Sequence, residues 1–584
     1  MPIFDRWILP EPAADDARVP VAHPALRSIL IRRGIADADS YRRFVAPSID
    51  DLHDGSFIHG MAYACERIER AVRNREPILI YGDYDVDGVT SIVLLQTVLR
   101  SLGASVDFVV PHRLVDGYGL KIEVLERVLA EKNVKLVVTV DCGITSVEPV
   151  RRAIDRGIDV IITDHHLPPG VLPEAAAVLN PKQPGCQYPF KELAGVGVAF
   201  KLCCELIRRS EKKISIDSLL KIAAIGTIAD VAPLVGENRT IAWLGLRGLA
   251  DVRNPGLRAL LKRIGIYGRP LRATDIGFKV GPRINAAGRL ASANTAIDLF
   301  SAADDEAAWS ACAELDRMNV ERQEIERTVR AEAEQQVEEL VARSRGHEVT
   351  RSVPPRDLAT SQPRNRFPRV LVLAGENWHR GVVGLTAGRM AQKYHRPALV
   401  LSIDGDHCVG SARSIPSINL HGQLERVADL FTHFGGHEFA CGFALPRAAV
   451  DELRVRLTEA FDRMDDELFV RTAAIDAELS LADVGREFAS LHETLEPFGA
   501  GNPRPLFLTR GLSAASSRTF AEHCCELVLT DGNRTAAAVL WPSVKELAAE
   551  IAECGRADVV FHIEADAYSA TGARMSVVDA RKAE

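Results

Sequence analysis

The stretch ILIYGDYDVDGVTS (78–91) decides the fold. Its first residues are apolar without alternation, as in a strand covered on both faces. They run into Asp83, Asp85 and Asp87 at alternate positions, and Gly88 then allows a sharp entry into a helix. The pattern returns in VDFVVP (106–111), LVVTVD (136–141) and DVIITD (159–164), each a short β-branched run followed by a helical stretch. A parallel, doubly wound α/β sheet is predicted. Ligands of such sheets lie beyond the carboxyl ends of the strands, where Asp83, Asp141 and Asp164 fall.

Outward from this core, 584 residues at roughly 100–200 per domain make three or more domains. Hydrophobic residues at 47% and charged residues at 26% match folded chains and exclude global disorder. The net charge of −8 excludes a polycation that coats nucleic acid, so any polyanion site is a local patch. Eleven cysteines without a CxxC pair give neither a disulfide framework nor a zinc knuckle. The start, MPIFDRWILPEPAADD (1–16), lacks the basic opening and apolar core of a signal peptide. No run approaches the roughly 20 apolar residues that span a bilayer, so a reduced, cytoplasmic protein without membrane contact is expected.

Residues 1–55 carry no identifiable chemistry and are expected to pack on the catalytic core or across its cleft, and 56–300 hold the first α/β domain. A long connecting helix is predicted over 301–345, which has no Gly or Pro, an apolar stripe at Ile325, Val329, Ala333, Val337 and Val341, and Glu326→Arg330 as a supporting pair. The polar stretch 346–368 reads as a flexible linker or insertion. A smaller α/β domain follows at 369–460, from RVLVLAG (369–375) and ALVLSID (398–404). Short β runs at 525–531, 535–541 and 557–566 place a β-rich domain, a candidate barrel, over 470–584.

Three carboxylates as close as Asp83, Asp85 and Asp87 repel one another in a cleft unless a cation neutralises them. TVDCGIT (139–145) adds Asp141, ITDHHLPP (162–169) adds Asp164, His165 and His166, and GTIADVAPL (226–234) adds Asp230 inside an apolar segment. Each acid alone could cap a helix or join a salt bridge. Together they supply enough ligands for two metal ions with open positions, and hard oxygens mixed with imidazole suit Mn²⁺ or Mg²⁺ over zinc. Two-metal sites catalyse in-line phosphoryl hydrolysis.

GDYDVDG (82–88), VDCG (140–143), TDHH (163–166) and GTIADVAPL, in this order, resemble the four motifs of the DHH phosphoesterase superfamily. GPRINAAGRL (281–290), GENWHRGVVGLTAGRM (375–390), GSARSIPS (410–417), FGGHEFACGF (434–443) and EPFGAGNPRPLF (496–507) extend the resemblance to its bacterial single-stranded-DNA-specific 5′→3′ exonucleases. The resemblance implies a DHH catalytic domain, a DHHA1 domain and a C-terminal OB fold. It makes Asp83, Asp85, Asp87, Asp141, His165 and Asp230 the metal ligands, and gives His166 a place on the scissile phosphate or in the metal shell; Asp141 and Asp164 join His166 as catalytic candidates. Arg283, Asn285, Arg289 and His437 would contact phosphate, and Arg113, Ser411 and Arg413 would hold the terminal 5′-phosphate. Nine basic residues against one acid, Asp275, between Arg253 and Arg289 favour that reading over a surface loop. Cys441 stands where the family more often has Ala, a change that packing should tolerate. The implied function is metal-dependent hydrolysis of single-stranded DNA to mononucleotides in repair and recombination, by a monomer that works with single-strand-binding protein and a helicase. The alternatives are a phosphodiesterase for oligoribonucleotides or cyclic dinucleotides, and a non-catalytic scaffold, which intact metal motifs oppose.

Overall fold

Strand order and register decide where the acids fall. A computed structural model describes residues 3–11, 18–117, 119–346, 367–520 and 524–583, so most of the expected linker at 346–368 lies outside the described residues. The chain divides into two units, Met1–Asp316 with Thr472–Glu584, and Arg317–Arg471. None of the described helices is long and apolar enough to cross a membrane.

In the first unit, β1 (Arg6–Ile8) precedes a five-stranded parallel sheet of β2 (Ile78–Gly82), β3 (Val106–Val109), β4 (Leu136–Val140), β5 (Asp159–Thr163) and β6 (Ala177–Leu179), ordered β3-β2-β4-β5-β6. β2 and β4 are buried along their whole length, as their unbroken apolar runs require. β3 differs: it is an edge strand whose Asp107 is exposed and pairs with Lys132, a charge that suits an edge and would not suit the interior. β6 has no counterpart among the predicted strands; three residues are too short a run to read. Gly82 lies beside Val140, and Val140 beside Thr163, so Asp83, Asp141 and Asp164 leave the sheet abreast at one edge.

The second unit holds β7 (Leu371–Glu376), β8 (Ala398–Asp404), β9 (His407–Arg413), β10 (His433–His437) and β11 (Ala440–Pro446), ordered β10-β11-β9-β8-β7 with only β7 and β8 parallel. The helix Asp305–Gly346 sends Val329, Ala333 and Val337 into the core formed with β7 and the helix Arg380–Tyr394. Glu326 does not pair with Arg330. It turns into this packed face, where Arg322 at 2.8 Å and Arg389 at 2.6 Å neutralise it, and Arg330 reaches Glu334 instead.

Back in the first unit, β12 (Thr472–Ala474) pairs with β1, and β13 (Ala477–Glu478) leads into a barrel of β14 (Phe507–Phe520), β15 (Cys524–Thr530), β16 (Thr535–Leu540), β17 (Ala557–Ala565) and β18 (Ala573–Lys582). The five strands close because β14 pairs with β15 along one half and with β17 along the other. Register shifts at Ala514/Ser516 and Thr509/Leu512 bend this long strand across both.

The N-terminal segment packs on the catalytic core, as expected, and on the barrel as well: His53 N donates to Glu237 Oε1 and His53 O accepts from Lys201 Nζ, both at 2.7 Å, while most of its apolar residues go to the barrel. Val19, Val21, Leu26, Ile29, Leu30 and Phe44 share a core with Phe507, Leu527 and Phe561. Buried Asp579 accepts hydrogen bonds from Ile3 N (2.6 Å), Phe4 N (3.2 Å) and Trp7 Nε1 (2.8 Å). The reason is compositional: its apolar residues complete the core of a small barrel, while the DHH sheet is already covered. The catalytic part joins this assembly through Arg239, which donates to Phe44 O (2.7 Å) and Glu496 O (2.7 Å) above the Phe44 ring. Asp579→Ala should lower stability by roughly 2–3 kcal/mol, because three N–H donors lose a charged acceptor. Urea unfolding checks this; the DHH site is untouched, so activity per folded molecule should hold.

Candidate metal centre and phosphate-binding residues

The local backbone sets each acid in place before any ion is considered. Asp85 caps the helix Val86–Ser101 by accepting from Gly88 N at 3.0 Å. A side chain at Gly88 would place its Cβ 2.4 Å from Asp83 O, so only glycine lets the chain turn here. Asp87, inside the first turn, accepts from Gly195 N (2.7 Å) and Val196 N (2.6 Å), the first amides of the helix Gly195–Arg208, whose dipole favours an anion. Asp141 leaves β4 with φ at +59°, a conformation uncommon outside glycine and frequent at functional sites. A Cβ on Gly195 would come within 2.5 Å of Asp141 Oδ1. Asp230 ends the helix Ile216–Ala229 as its C-cap.

Asp164 faces its own strand end. Its Oδ1 accepts from His165 N (2.7 Å), His166 N (3.1 Å) and His166 Nδ1 (2.8 Å), and its Oδ2 accepts from Ile144 N (2.9 Å). Asn180 Nδ2 holds His166 O at 2.9 Å. Asp164 therefore orients the two histidines.

Candidate ligand atoms fall into two sets that share no residue, Asp83 with Asp85 and Asp141, and Asp87 with His165 and Asp230, each within 4.8 Å. A third set, Asp141, His165 and His166, bridges them, with His165 Nε2 3.2 Å from Asp141 Oδ1. Burial, and then the charge of Asp85, pushes the Asp83 carboxyl well above the usual range. Burial followed by neighbouring carboxylates does the same to Asp87 and Asp141, and brings Asp230 up to about 7. Burial and the charge of His166 take His165 down to about 3. Burial opposes the His166–Asp164 pair at both ends, yet their mutual bond prevails, raising His166 and lowering Asp164.

These residues fit divalent cations. Among the described residues Asp83 Oδ1 is buried without a hydrogen-bond partner, which is costly unless something else occupies it. The donors are carboxylates and imidazole, and the neighbouring Cys142 is held as a thiol by burial, so no thiolate competes.

The cationic residues are dispersed. Arg113 stands over the Tyr84 ring at 4.8 Å, beside Asp83. Arg283, Asn285 and Arg289 lie on the helix Gly281–Leu290, where a Cβ at Gly288 would be 2.4 Å from Tyr84 O and the charge of Arg289 acts on Tyr84. Arg283 binds Asp316 at 2.6 Å, together with Arg263, and Asp275 lies between Arg269 (2.8 Å) and Lys279 (2.9 Å). Much of the basic run is thus already paired, with its own Asp275 and the distant Asp316 each facing two cations.

In the second unit Ser411 and Arg413 share one face of β9, with Arg413 Nη1 donating to Ser411 Oγ at 2.8 Å. Gly384 leaves them room, since its Cβ would meet Ser411 Oγ at 3.1 Å and Arg413 Nη2 at 3.3 Å. His437 is exposed at the end of β10, and its carbonyl accepts from the buried Cys441 thiol at 3.3 Å. Arg113 belongs to the other unit from Ser411 and Arg413. Residue-by-residue reading missed Gly195, Val196 and Lys182, whose charge acts on both His165 and Asp230. The signal for the first two was in AGVGVAF (194–200), two glycines opening an apolar helix after a loop.

Three family models match the chain: the DHH family N-terminal domain over residues 77–227, the DHHA1 domain over 368–463 and the RecJ OB domain over 475–573. The chain is similar to the single-stranded-DNA-specific exonuclease RecJ of Bacillus subtilis, 37% identical over 537 residues, covering 91% of this chain and 64% of that protein. It thus spans less than two thirds of that relative. The RecJ of Escherichia coli is 36% identical over 502 residues, 83% of each chain. The crystal structure of Thermus thermophilus RecJ in complex with Mn²⁺ superposes with a TM-score of 0.80 at 28% identity, over 99% of this chain and 80% of that one. The Mg²⁺ complex of the same protein gives 0.74 at 27% identity, over 99% and 79%.

The raised carboxyls make a pH prediction. A folded-state pKa above the unfolded one adds stability at low pH that is lost as pH rises through it, so the metal-free protein should lose this contribution between about 4 and 7. His165, depressed to about 3, works the other way below its unfolded value of 6.5, as one group against four. Mn²⁺ should therefore raise the melting temperature more at pH 8 than at pH 5, by thermal melts with and without EDTA. Equal shifts at both would mean that the acids do not repel one another as their raised pKa values require. Gly195→Ala should abolish most of the metal-dependent shift by displacing Asp141.

Proposed function

The chain belongs to the RecJ family of single-stranded-DNA-specific exonucleases, and on that basis we propose that it hydrolyses single-stranded DNA from the 5′ end, releasing mononucleotides. The observation that carries this is the pair of non-overlapping ligand sets at the strand ends, with Asp83 Oδ1 buried and unsatisfied. Asp83, Asp85 and Asp141 would hold one divalent ion and Asp87, His165 and Asp230 the other, with Mn²⁺ preferred to Mg²⁺ for the mixed oxygen and imidazole donors. Two such ions, when bound, lower the pKa of a water molecule and offset the charge that builds on phosphate oxygens during in-line displacement.

The protein's own groups do the positioning. Asp164 keeps the His166 ring oriented and raises its pKa, so that the imidazolium can donate to a phosphate oxygen as negative charge grows. Arg283, Asn285 and Arg289 orient the neighbouring backbone, and Arg113, Ser411 and Arg413 with His437 serve the terminal phosphate and the strand near it. The barrel of β14 to β18 holds incoming strand in the manner of OB folds.

Residues 56–300 form the catalytic domain, 301–345 the connecting helix, 369–460 the DHHA1 domain and 470–584 the OB domain. Cytoplasmic repair and recombination, as a monomer with single-strand-binding protein and a helicase, complete the reading.

DNA labelled at the 5′ or the 3′ end, digested with Mn²⁺, tests it. Labelled mononucleotide should appear at once from the 5′ label and only late from the 3′ label, and Asp141→Ala should lower the rate at least about a thousandfold. Inert DNA, or early release from the 3′ label, would turn attention to oligoribonucleotides and cyclic dinucleotides.

A further inference from the structure

Phe278 is 79% exposed, although it lies among elements that carry the metal cluster. Single exposed apolar side chains are ordinary; the backbone beneath this one is not. Ile276–Val280 forms a π-helical turn, a rare geometry that recurs at functional sites. Ile276 and Val280 are fully buried, so the turn is pinned at both ends, and Gly277, Phe278 and Lys279 face outward between them.

The position gives this display a purpose. A Cβ on Gly281 would lie 3.6 Å from Ala229 Cβ, in the residue before Asp230, and Gly288 abuts Tyr84 O, in the residue after Asp83. One short helix thus touches the carriers of both ligand sets, and Phe278 precedes Gly281 by less than one turn, about 5 Å along the axis. Cations outnumber carboxylates along this stretch: Lys279 and Arg269 share Asp275, Arg263 and Arg283 share Asp316, and Arg283 also donates to Lys279 O at 2.8 Å. A rigid aromatic ring among cations, close to a phosphodiester-cleaving centre, has the makings of a stacking platform for unpaired bases.

We propose that Phe278 stacks on one base of the substrate strand, within a few nucleotides of the scissile phosphate, and so sets how firmly the strand is held between successive cuts. This rests on the reading of the site as a nuclease for single-stranded DNA. The charge around Phe278 selects a polyanionic strand over an apolar protein partner.

The test uses the full chain with Phe278→Ala, Phe278→Leu and Phe278→Trp, and 5′-phosphorylated oligonucleotides carrying one abasic site at successive positions. Ala and Leu should raise KM roughly tenfold, far more than they lower kcat, and Trp should restore it. The wild-type protein should lose affinity when one particular base is missing, and Phe278→Ala should be indifferent to that loss. An unchanged KM for Phe278→Ala, or an abasic penalty equal in both proteins, overturns the proposal. A wild-type chain that releases no nucleotide from intact DNA overturns the nuclease reading itself, and this assignment with it.

Discussion

Repulsion among buried carboxylates is the constraint on which the rest of the structure depends. Two like charges about 4 Å apart cost roughly 4 kcal/mol at an effective dielectric of 20. Asp83, Asp85, Asp87, Asp141 and Asp230 make several such pairs, against a folding stability of roughly 5–15 kcal/mol in all. A sheet edge that gathers them abreast has to be offset by protons or by cations. Burial and the neighbouring charges hold the Asp83, Asp87 and Asp141 carboxyls well above the usual range, so both protons and cations relieve the repulsion.

The surrounding fold holds the acids against that repulsion. Parallel register aligns the three strand ends, the Gly195 and Val196 amides fix Asp87, and Asp164 spends its oxygens on the two histidines. The turn after Asp230 is secured from the far end of the chain, because Leu234 N donates to Ala500 O at 2.7 Å and a Cβ at Gly499 would be 2.8 Å from Leu234 Cδ1. The PFGAGNP loop thus braces the segment that follows a candidate ligand. Arg239 and the N-terminal segment extend the same support, so the barrel contributes to the geometry of the catalytic edge.

The catalytic sheet and its acids were legible in the sequence because both faces of β2 and β4 are buried, which leaves unbroken apolar runs ending in a charged residue. What was obscure depended on contacts across long separations. Nothing local in VAHPALRSIL (21–30) says that Leu26 and Leu30 share a core with Phe507 and Phe561. The place of Asp164 at a strand end was legible, but its bonds to the His165 and His166 amides and to the His166 ring follow from how the chain turns after β5, which no local pattern announces. Arg283 shows the converse, since a motif arginine that reads as a phosphate contact is engaged with Asp316 here. Phe278 was indistinguishable from a core aromatic until the π-turn placed it in solvent.

The central claim is that the strand-end acids form two separate cation sites, and counting bound Mn²⁺ by electron paramagnetic resonance tests it most directly. The account predicts two ions per wild-type chain, one after Asp83→Asn and one after Asp230→Asn, each substitution emptying a different site. A wild-type chain that binds no Mn²⁺, or variants that both retain two ions, would contradict it.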